Sequence, residues 1–309
     1  MYANTHYPAS NRGRIIRRTR SSYLIRSGND CIEGTLSTRL KNESGPNPVV
    51  IGDMVVWNEA AQITEVLPRH NWLSRCSAVP MPSSYAQEQV LVANVDQVVP
   101  VFAAANPRPA WNLLDRFLVS AEASDIPALI VLTKLDLVAG RHLQEIEAIA
   151  EEYRAIGYAV VLTSTATGRG LDELKACLQG RLSALLGKSG VGKTSLLNAI
   201  EPGLGQRVQA TSKATGKGRH TTTTTEIFAL ALGGALVDTP GMREFGLWDV
   251  DGRDLAWFFP EMRPFLGRCK FGASCRHDEE PGCTIRKAVV EGLISPYRYQ
   301  SYLKLRAEE

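Results

Sequence analysis

The sequence predicts a multidomain chain: an N-terminal OB-like β-barrel over 1–78, a central α/β domain built around a phosphate-binding loop over 85–246, and a mostly helical, metal-binding module over 247–309. Three observations predict it. Five short β-type runs crowd into residues 14–67, apolar runs alternate with helical patterns from residue 98 onward, and Cys269, Cys275 and Cys283 cluster with His277 near the end. A composition of 44% hydrophobic and 22% charged residues is ordinary for a globular chain. It excludes a disordered polyelectrolyte. No run approaches the roughly 18 apolar residues of a membrane-spanning helix. Arg12, Arg14, Arg17, Arg18 and Arg20 are not followed by an apolar signal-peptide core, so the expected compartment is the cytoplasm.

The barrel strands, in order, are expected at 14–18, 23–26, 31–37, 54–57 and 62–67, separated by Gly28-Asn29-Asp30, a 42–48 loop and Gly52-Asp53. Turn-forming residues at these breaks keep each strand short. Five such strands close most simply into an OB-fold, and an SH3-like barrel is the alternative that strand count leaves open. Net charge is only +3, but residues 1–75 hold ten Lys/Arg against six Asp/Glu, and Arg207, Lys213, Lys217 and Arg219 lie together without an acid. Each stretch is either a phosphate-facing surface or a solvated basic face.

After a Pro/Ser-containing linker at 79–84, strands are expected at 98–104, 128–132 and 159–162 and helices at 113–123, 143–156 and 171–178, with further strands at 228–232 and 235–237. Such alternation signals a parallel sheet covered on both faces. Pro100 has no N–H for a ladder, so its strand is expected to lie at an edge or to bulge there. Cys31, Cys76 and Cys177 read as core thiols. The third unit is expected to begin near Trp248.

Gly187-Lys188-Ser189-Gly190-Val191-Gly192-Lys193-Thr194 fits G-x-x-x-x-G-K-[ST], with an apolar 184–186 before it and a helical 195–200 after it. Glycines let successive N–H groups turn toward a β-phosphate at the positive end of the following helix. Lys193 would reach the β- and γ-phosphates, and the Thr194 hydroxyl would bind Mg²⁺. The base is read elsewhere. Thr133-Lys134-Leu135-Asp136 follows the apolar 128–132, and the Asp136 carboxylate can accept from both N1–H and the 2-amino group of guanine. Adenine offers no such donor pair, and sites built on such hydrogen bonds reject an analogue by as much as ~10⁴-fold. Ser164-Thr165-Ala166 supplies a second base-contacting loop. Asp238-Thr239-Pro240-Gly241 is a D-x-x-G, with Asp238 toward Mg²⁺ and Gly241 toward the γ-phosphate. Together these motifs specify GTP and GDP.

Their order is unusual. In ordinary GTPases the phosphate loop comes first and the base-reading loop last, whereas here the loops at 133 and 164 precede the one at 187. The domain is therefore circularly permuted, which leaves the spatial site intact when the old termini lie close together. One consequence is mechanical: D-x-x-G leads directly into the C-terminal module, so nucleotide state can bias how that module sits. In the module, Cys269-x5-Cys275-x-His277-x5-Cys283 offers three thiolates and an imidazole, a closed set suited to one structural Zn²⁺. Unpaired thiols or a redox pair are the alternatives. Residues 296–307, with Tyr297, Arg298, Tyr299, Tyr302, Lys304 and Arg306, read either as an RNA-stacking tail or as an amphipathic helix packed on its own module.

Taken with the permuted order, the phosphate loop, Asp238 to Gly241 and the Cys/His cluster, two further segments carry a resemblance over nearly the whole chain. They are Gly218-Arg219-His220-Thr221-Thr222-Thr223 and Pro68-Arg69-His70-Asn71-Trp72-Leu73-Ser74-Arg75. The chain resembles the bacterial ribosome-small-subunit-dependent GTPase A family, also called RsgA or YjeQ. The resemblance implies a GTP hydrolase that binds the 30S subunit and its 16S rRNA late in maturation and is stimulated by the subunit, with RNA binding at the barrel. The expected protein is a monomer without a membrane partner. The resemblance also makes 218–223 switch I, with Thr222 or its neighbour Thr221 on Mg²⁺. The family's pattern has four residues between the first two cysteines, where this chain has five, Lys270 to Ser274. Many GTPases orient the attacking water with a Gln just after D-x-x-G, but that position is Met242, whose thioether cannot do so. His220 is the candidate in its place, the other reading being a histidine on a basic loop or on rRNA. Two other functions stay open: a nucleotide-gated RNA-binding module with incidental hydrolysis, or a GTPase acting on another RNA.

Overall fold

The computed structural model describes residues 11–19, 21–43, 48–76, 88–213, 226–238, 252 and 254–308. Its first unit is a closed barrel of β1 (Arg12–Arg18), β2 (Tyr23–Ser27), β3 (Asp30–Leu36), β4 (Met54–Trp57) and β5 (Gln62–Val66), with α1 (Thr38–Glu43) between β3 and β4. The strands run in the order β1-β2-β3-β5-β4 and β4 returns to β1, with only the β3–β5 pair parallel. That Greek-key closure is the OB arrangement rather than the SH3-like alternative. Alternating residues fill it: Ile15, Ile25, Val55 and Ile63 have no exposed surface. Consecutive burial of Ile15 and Ile16 follows from a register shift in the β1–β2 ladder between Ile15 and Arg17. Gly13 is required because a Cβ there would lie 2.4 Å from the Arg26 carbonyl oxygen. Cys31 is not a core thiol. It is exposed on the same face of β3 as Glu33 and Thr35, because it falls on the outward phase of the alternation, and Cys177 is only half-buried.

A hairpin of β6 (Trp72–Cys76) and β7 (Glu88–Ala93) then connects to the central unit. Two asparagines pin this junction. The Asn71 amide exchanges hydrogen bonds with Val95 N–H and C=O at 3.0 and 2.9 Å, and Asn94 accepts from His70 N–H and donates to the Gly52 carbonyl. Arg14 of β1 donates to the Asn94 carbonyl, so barrel and central unit share this hub. The expected linker at 79–84 lies outside the described residues.

The central sheet has the order β10-β9-β8-β11-β13-β12. Along the chain it comprises β8 (Gln97–Ala103), α2 (Trp111–Ala123), β9 (Leu129–Thr133), α3 (Gly140–Ile156), β10 (Ala159–Leu162) and α4 (Leu171–Leu178). It continues with β11 (Leu182–Leu186), α5 (Lys193–Ile200), α6 (Leu204–Lys213), β12 (Ile227–Ala229) and β13 (Ala235–Asp238). Only β12 is antiparallel. Strands β8, β9 and β11 are buried along their full length, as expected for strands with helices on both faces. Pro100 corrects the expectation of an edge or bulge, since β8 lies between β9 and β11. Its pairing with β9 is a bridge at Val98–Ala128 and a ladder that resumes at Val101–Val131 in unchanged register. Parallel strands alternate the side to which they donate, so the missing N–H removes one bond to β9 and none to β11.

The C-terminal module consists of 3-10 turns at Leu255–Phe258, Pro260–Phe265 and Gly272–Ser274, then α7 (Thr284–Val290) and α8 (Pro296–Ala307). Leu255, Phe259, Met262, Ile285, Tyr302 and Leu305 form its core together with Val119 of α2. Helix α8 therefore packs back on its own module, and Arg298, Tyr302 and Leu305 are buried. The start of the module near Trp248 lies outside the described residues.

Candidate nucleotide site and metal cluster

The phosphate loop leaves the end of β11, and its glycines adopt the backbone that its curl demands: φ is +155° at Gly187, +81° at Gly190 and +97° at Gly192. Helix α5 starts immediately at Lys193, so its first N–H groups face the loop's mouth. Lys193 Nζ donates to the Gly187 carbonyl at 2.5 Å and the Lys188 carbonyl at 3.0 Å, which holds the cation over that mouth. The half-buried Thr194 follows in the first turn. Ser189 is exposed in the loop, and Val191 is buried beneath it. Asp238 lies opposite Leu185 in the β11–β13 register, at the carboxyl end of the sheet where the phosphate loop begins.

The 133–136 turn is joined directly to the phosphate loop. Thr133, at the end of β9 and 3% exposed, donates from its hydroxyl to the Val191 carbonyl at 2.5 Å. Lys134 takes a left-handed backbone at φ +59°, and its ammonium reaches the Gly190 carbonyl at 2.6 Å and the Asn106 carbonyl. Leu135 is buried and anchors a three-residue 3-10 turn that leaves Asp136 exposed. Ser164, 1% exposed after β10, donates from its hydroxyl to Asp136 Oδ1 at 2.6 Å, while Thr165 and Ala166 are exposed beside it. The structure thus brings the 133–136, 164–166 and 187–194 segments together at the carboxyl ends of the parallel strands β9, β10 and β11, where open α/β sheets bind ligands. The Thr194 hydroxyl and the backbone position of Asp238 suit Mg²⁺, which prefers oxygen ligands. His220, Thr222 and Gly241 lie outside the described residues, as does the Asp238 side chain.

A neighbour of Thr194 escaped the sequence reading. Gln209 of α6 donates from Nε2 to Thr194 Oγ1 at 2.9 Å. The only available signal, its place within a basic polar stretch, says nothing about such a contact.

In the C-terminal module, ligand atoms of Cys269, Cys275, His277 and Cys283 all lie within 4.8 Å of one another, and all four residues are buried. His277 Nδ1 is 3.5 Å from both Cys269 Sγ and Cys283 Sγ. The five residues between Cys269 and Cys275 are taken up by the 3-10 turn Gly272–Ser274, entered through Gly272 at φ +53°. Burial pushes the Cys275 thiol up to about 12 and raises Cys283 as well. Burial also opposes the Cys269 thiolate, but hydrogen bonds from the Thr284 hydroxyl and N–H outweigh it and bring that group below the usual thiol value. Burial lowers His277, favouring the neutral ring that ligates metal. Three crowded thiols, a neutral imidazole and N–H groups aimed at two of the sulfurs fit a tetrahedral Zn²⁺.

Comparison with known proteins agrees with this geometry. The family described as RsgA GTPase matches residues 66–248. The small ribosomal subunit biogenesis GTPase RsgA of Gemmatimonas aurantiaca is 47% identical over 277 residues, covering 87% of this chain and 88% of that protein. Its counterpart from Azotobacter vinelandii is 44% identical and covers 84% and 74%. Among solved structures, YjeQ from Thermotoga maritima superposes with a TM-score of 0.79 at 31% identity, covering 96% of this chain and 98% of that one. YloQ, described as a circularly permuted GTPase, gives 0.72 at 30% identity and covers 100% and 97%. With a permuted guanine site, an OB barrel and a Cys3His cluster matched along most of its length, the chain belongs to the RsgA GTPase family.

Proposed function

We propose that this GTPase acts on the small ribosomal subunit during its biogenesis, binding the 30S particle through 16S rRNA and hydrolysing GTP when the particle stimulates it. The observation that carries the reading is the match to a small ribosomal subunit biogenesis GTPase over 87% of this chain. Arg17, Arg39 and Lys41 are exposed on the barrel, whose class of fold binds oligonucleotides along one face. We take the protein to be a cytoplasmic monomer; no described helix is long and apolar enough to cross a membrane. The working units are 1–78, 85–246 and 247–309, supported by the separate barrel sheet, central sheet and C-terminal core.

Within the site, residues 187–194 would hold the phosphates, Asp136 the guanine edge, and Ser164 to Ala166 its flank. Mg²⁺ supplies charge neutralisation at the β- and γ-phosphates, and Thr194, Asp238 and Thr222 are the residues to hold it. Lys193 balances charge developing on the phosphates, and His220 orients the water. Zn²⁺ supplies a covalent-like cross-link among loops too small to bury a full core, with Cys269, Cys275, His277 and Cys283 as its ligands.

GTP turnover measured alone and with 30S subunits, 50S subunits or tRNA tests the reading. Strong stimulation by 30S alone is expected. Equal stimulation by 50S or tRNA would point to another RNA substrate, and none at all to a nucleotide-gated RNA-binding module.

A further inference from the structure

Helix α6 lies against the first turn of α5 at van der Waals contact, and one glycine permits it. A Cβ on Gly205 would sit 2.5 Å from the Thr194 carbonyl oxygen and 2.8 Å from Thr194 Cγ2. The Gly205 N–H donates to Asn198 Oδ1 of α5 at 2.8 Å, and buried Leu204 and Val208 pack with Leu196, Leu197 and Ile200, which sets the rotation of α6 about its axis. At its start, Glu201 receives both Arg207 and the Ala231 N–H, tying α6 to the β12–β13 turn. Residue 209 is one helical turn beyond Gly205 and so lies on the same face. There the Gln209 amide meets the Thr194 hydroxyl at 2.9 Å.

We propose that Gln209 is a positioning residue for the magnesium ligand Thr194. A helical threonine divides between two χ1 rotamers because its hydroxyl can turn back to a carbonyl of the preceding turn. A partner outside the helix selects one of them. Whichever end of the amide faces it, the Thr194 oxygen keeps a lone pair for the cation. Helix α6 ends at Lys213, and the segment containing His220 and Thr222 follows it in sequence, so the helix that orients one magnesium ligand leads into the stretch proposed to carry another. The inference rests on the assignment of Thr194 to Mg²⁺ made above, and the test separates the two.

The affinity of the full chain for a fluorescent GDP analogue is measured across Mg²⁺ concentrations and in excess EDTA. Gln209→Ala is expected to raise the Mg²⁺ midpoint ~3–10-fold, the worth of one hydrogen bond, with affinity in EDTA within about twofold of the parent. Gln209→Glu should restore the midpoint, because a carboxylate oxygen accepts from the Thr194 hydroxyl. Gln209→Met keeps the side-chain length without the hydrogen bond and should behave like Gln209→Ala, with thermal melting reporting that both remain folded. An unchanged midpoint in both, or a loss of affinity that is equal with and without Mg²⁺, overturns the proposal. Thr194→Ala should abolish the Mg²⁺ dependence; if it does not, the magnesium assignment falls and this inference with it.

Discussion

Asp136 stands exposed on its turn while the hydroxyl that holds it, Ser164, is buried, so the carboxylate's orientation is set from within the protein. This decides how an amide would behave in its place. In Asp136→Asn, Ser164 still donates to the side-chain oxygen, which turns the NH₂ toward the base. Guanine then loses a charged acceptor facing two donors, and GTP affinity should fall roughly 10²–10⁴-fold. Xanthosine triphosphate, which carries a carbonyl where guanine has the 2-amino group, should gain relative to GTP, and competition binding reads both changes. A variant that kept its full preference for GTP would show that the turn does not read the base. Kinetics separates the roles open to His220: His220→Ala should bind GTP and 30S subunits nearly as the parent does, yet lose ~10²-fold or more of stimulated turnover. A loss that only tracks weaker ribosome binding would make His220 a contact residue. At this scale the sequence made the grouping of side chains legible where they lie close along the chain, as at Gly187 to Thr194 and Cys269 to Cys283. It hid the side chains that orient those groups. The Lys134 ammonium on the Gly190 carbonyl and Gln209 on Thr194 depend on three-dimensional approach, which no local pattern encodes.

Secondary structure divides in the same way. The expected strands and helices of barrel and sheet appear within a few residues of their places, because apolar periodicity and turn residues both mark them. The misses have physical reasons. Helix α6 joins buried Leu204 and Val208 to a polar remainder, too weak an apolar stripe to distinguish from a basic loop, and α1 is a six-residue helix. Hairpin β6–β7 is interrupted by the segment read as a linker. Pro100 sits inside the sheet because its missing N–H costs a single bond to β9 while the pairing with β11 is kept and β8 is buried on both faces. The Cys/His loop is the element expected to depend most on a ligand, since two of its buried cysteine sulfurs also accept backbone N–H bonds. Protein purified without added metal should contain one zinc per chain. Cys275→Ala should lose it and expose the 255–305 region to protease, while GTP hydrolysis without ribosomes changes little. Metal-free protein with an unaltered digestion pattern would remove zinc from the account.

Across the whole molecule, permutation places D-x-x-G immediately before the C-terminal module, and the structure shows where that module is fastened. Arg298 of α8, 2% exposed, forks onto Glu261 at 2.7 and 3.1 Å and reaches Asp115 of α2 at 2.6 Å. Tyr153 of α3 donates to the same Asp115 oxygen at 2.7 Å, and the guanidinium lies 4.5 Å from the Phe259 ring centroid. Burial alone would drive the guanidinium toward neutrality, but Asp115 and Glu261 outweigh it and hold it charged. Helix α3 begins just after the turn carrying Asp136, and its Tyr153 ring lies 5.6 Å from the Arg298 guanidinium, so the module rests on the helix that leaves that turn. Any nucleotide-dependent shift of the module must keep or break this one buried charge cluster. Arg298→Met strands two buried carboxylates without their cation, and removal of one partner from such a cluster typically costs ~3–5 kcal/mol. The variant should melt earlier and release 255–305 to protease at concentrations that leave the parent intact. Adding Asp115→Asn and Glu261→Gln removes the stranded charges, and that triple variant should recover most of the loss. If Arg298→Met alone resists protease as the parent does, the apolar contact around Val119 holds the module and the charge cluster does not.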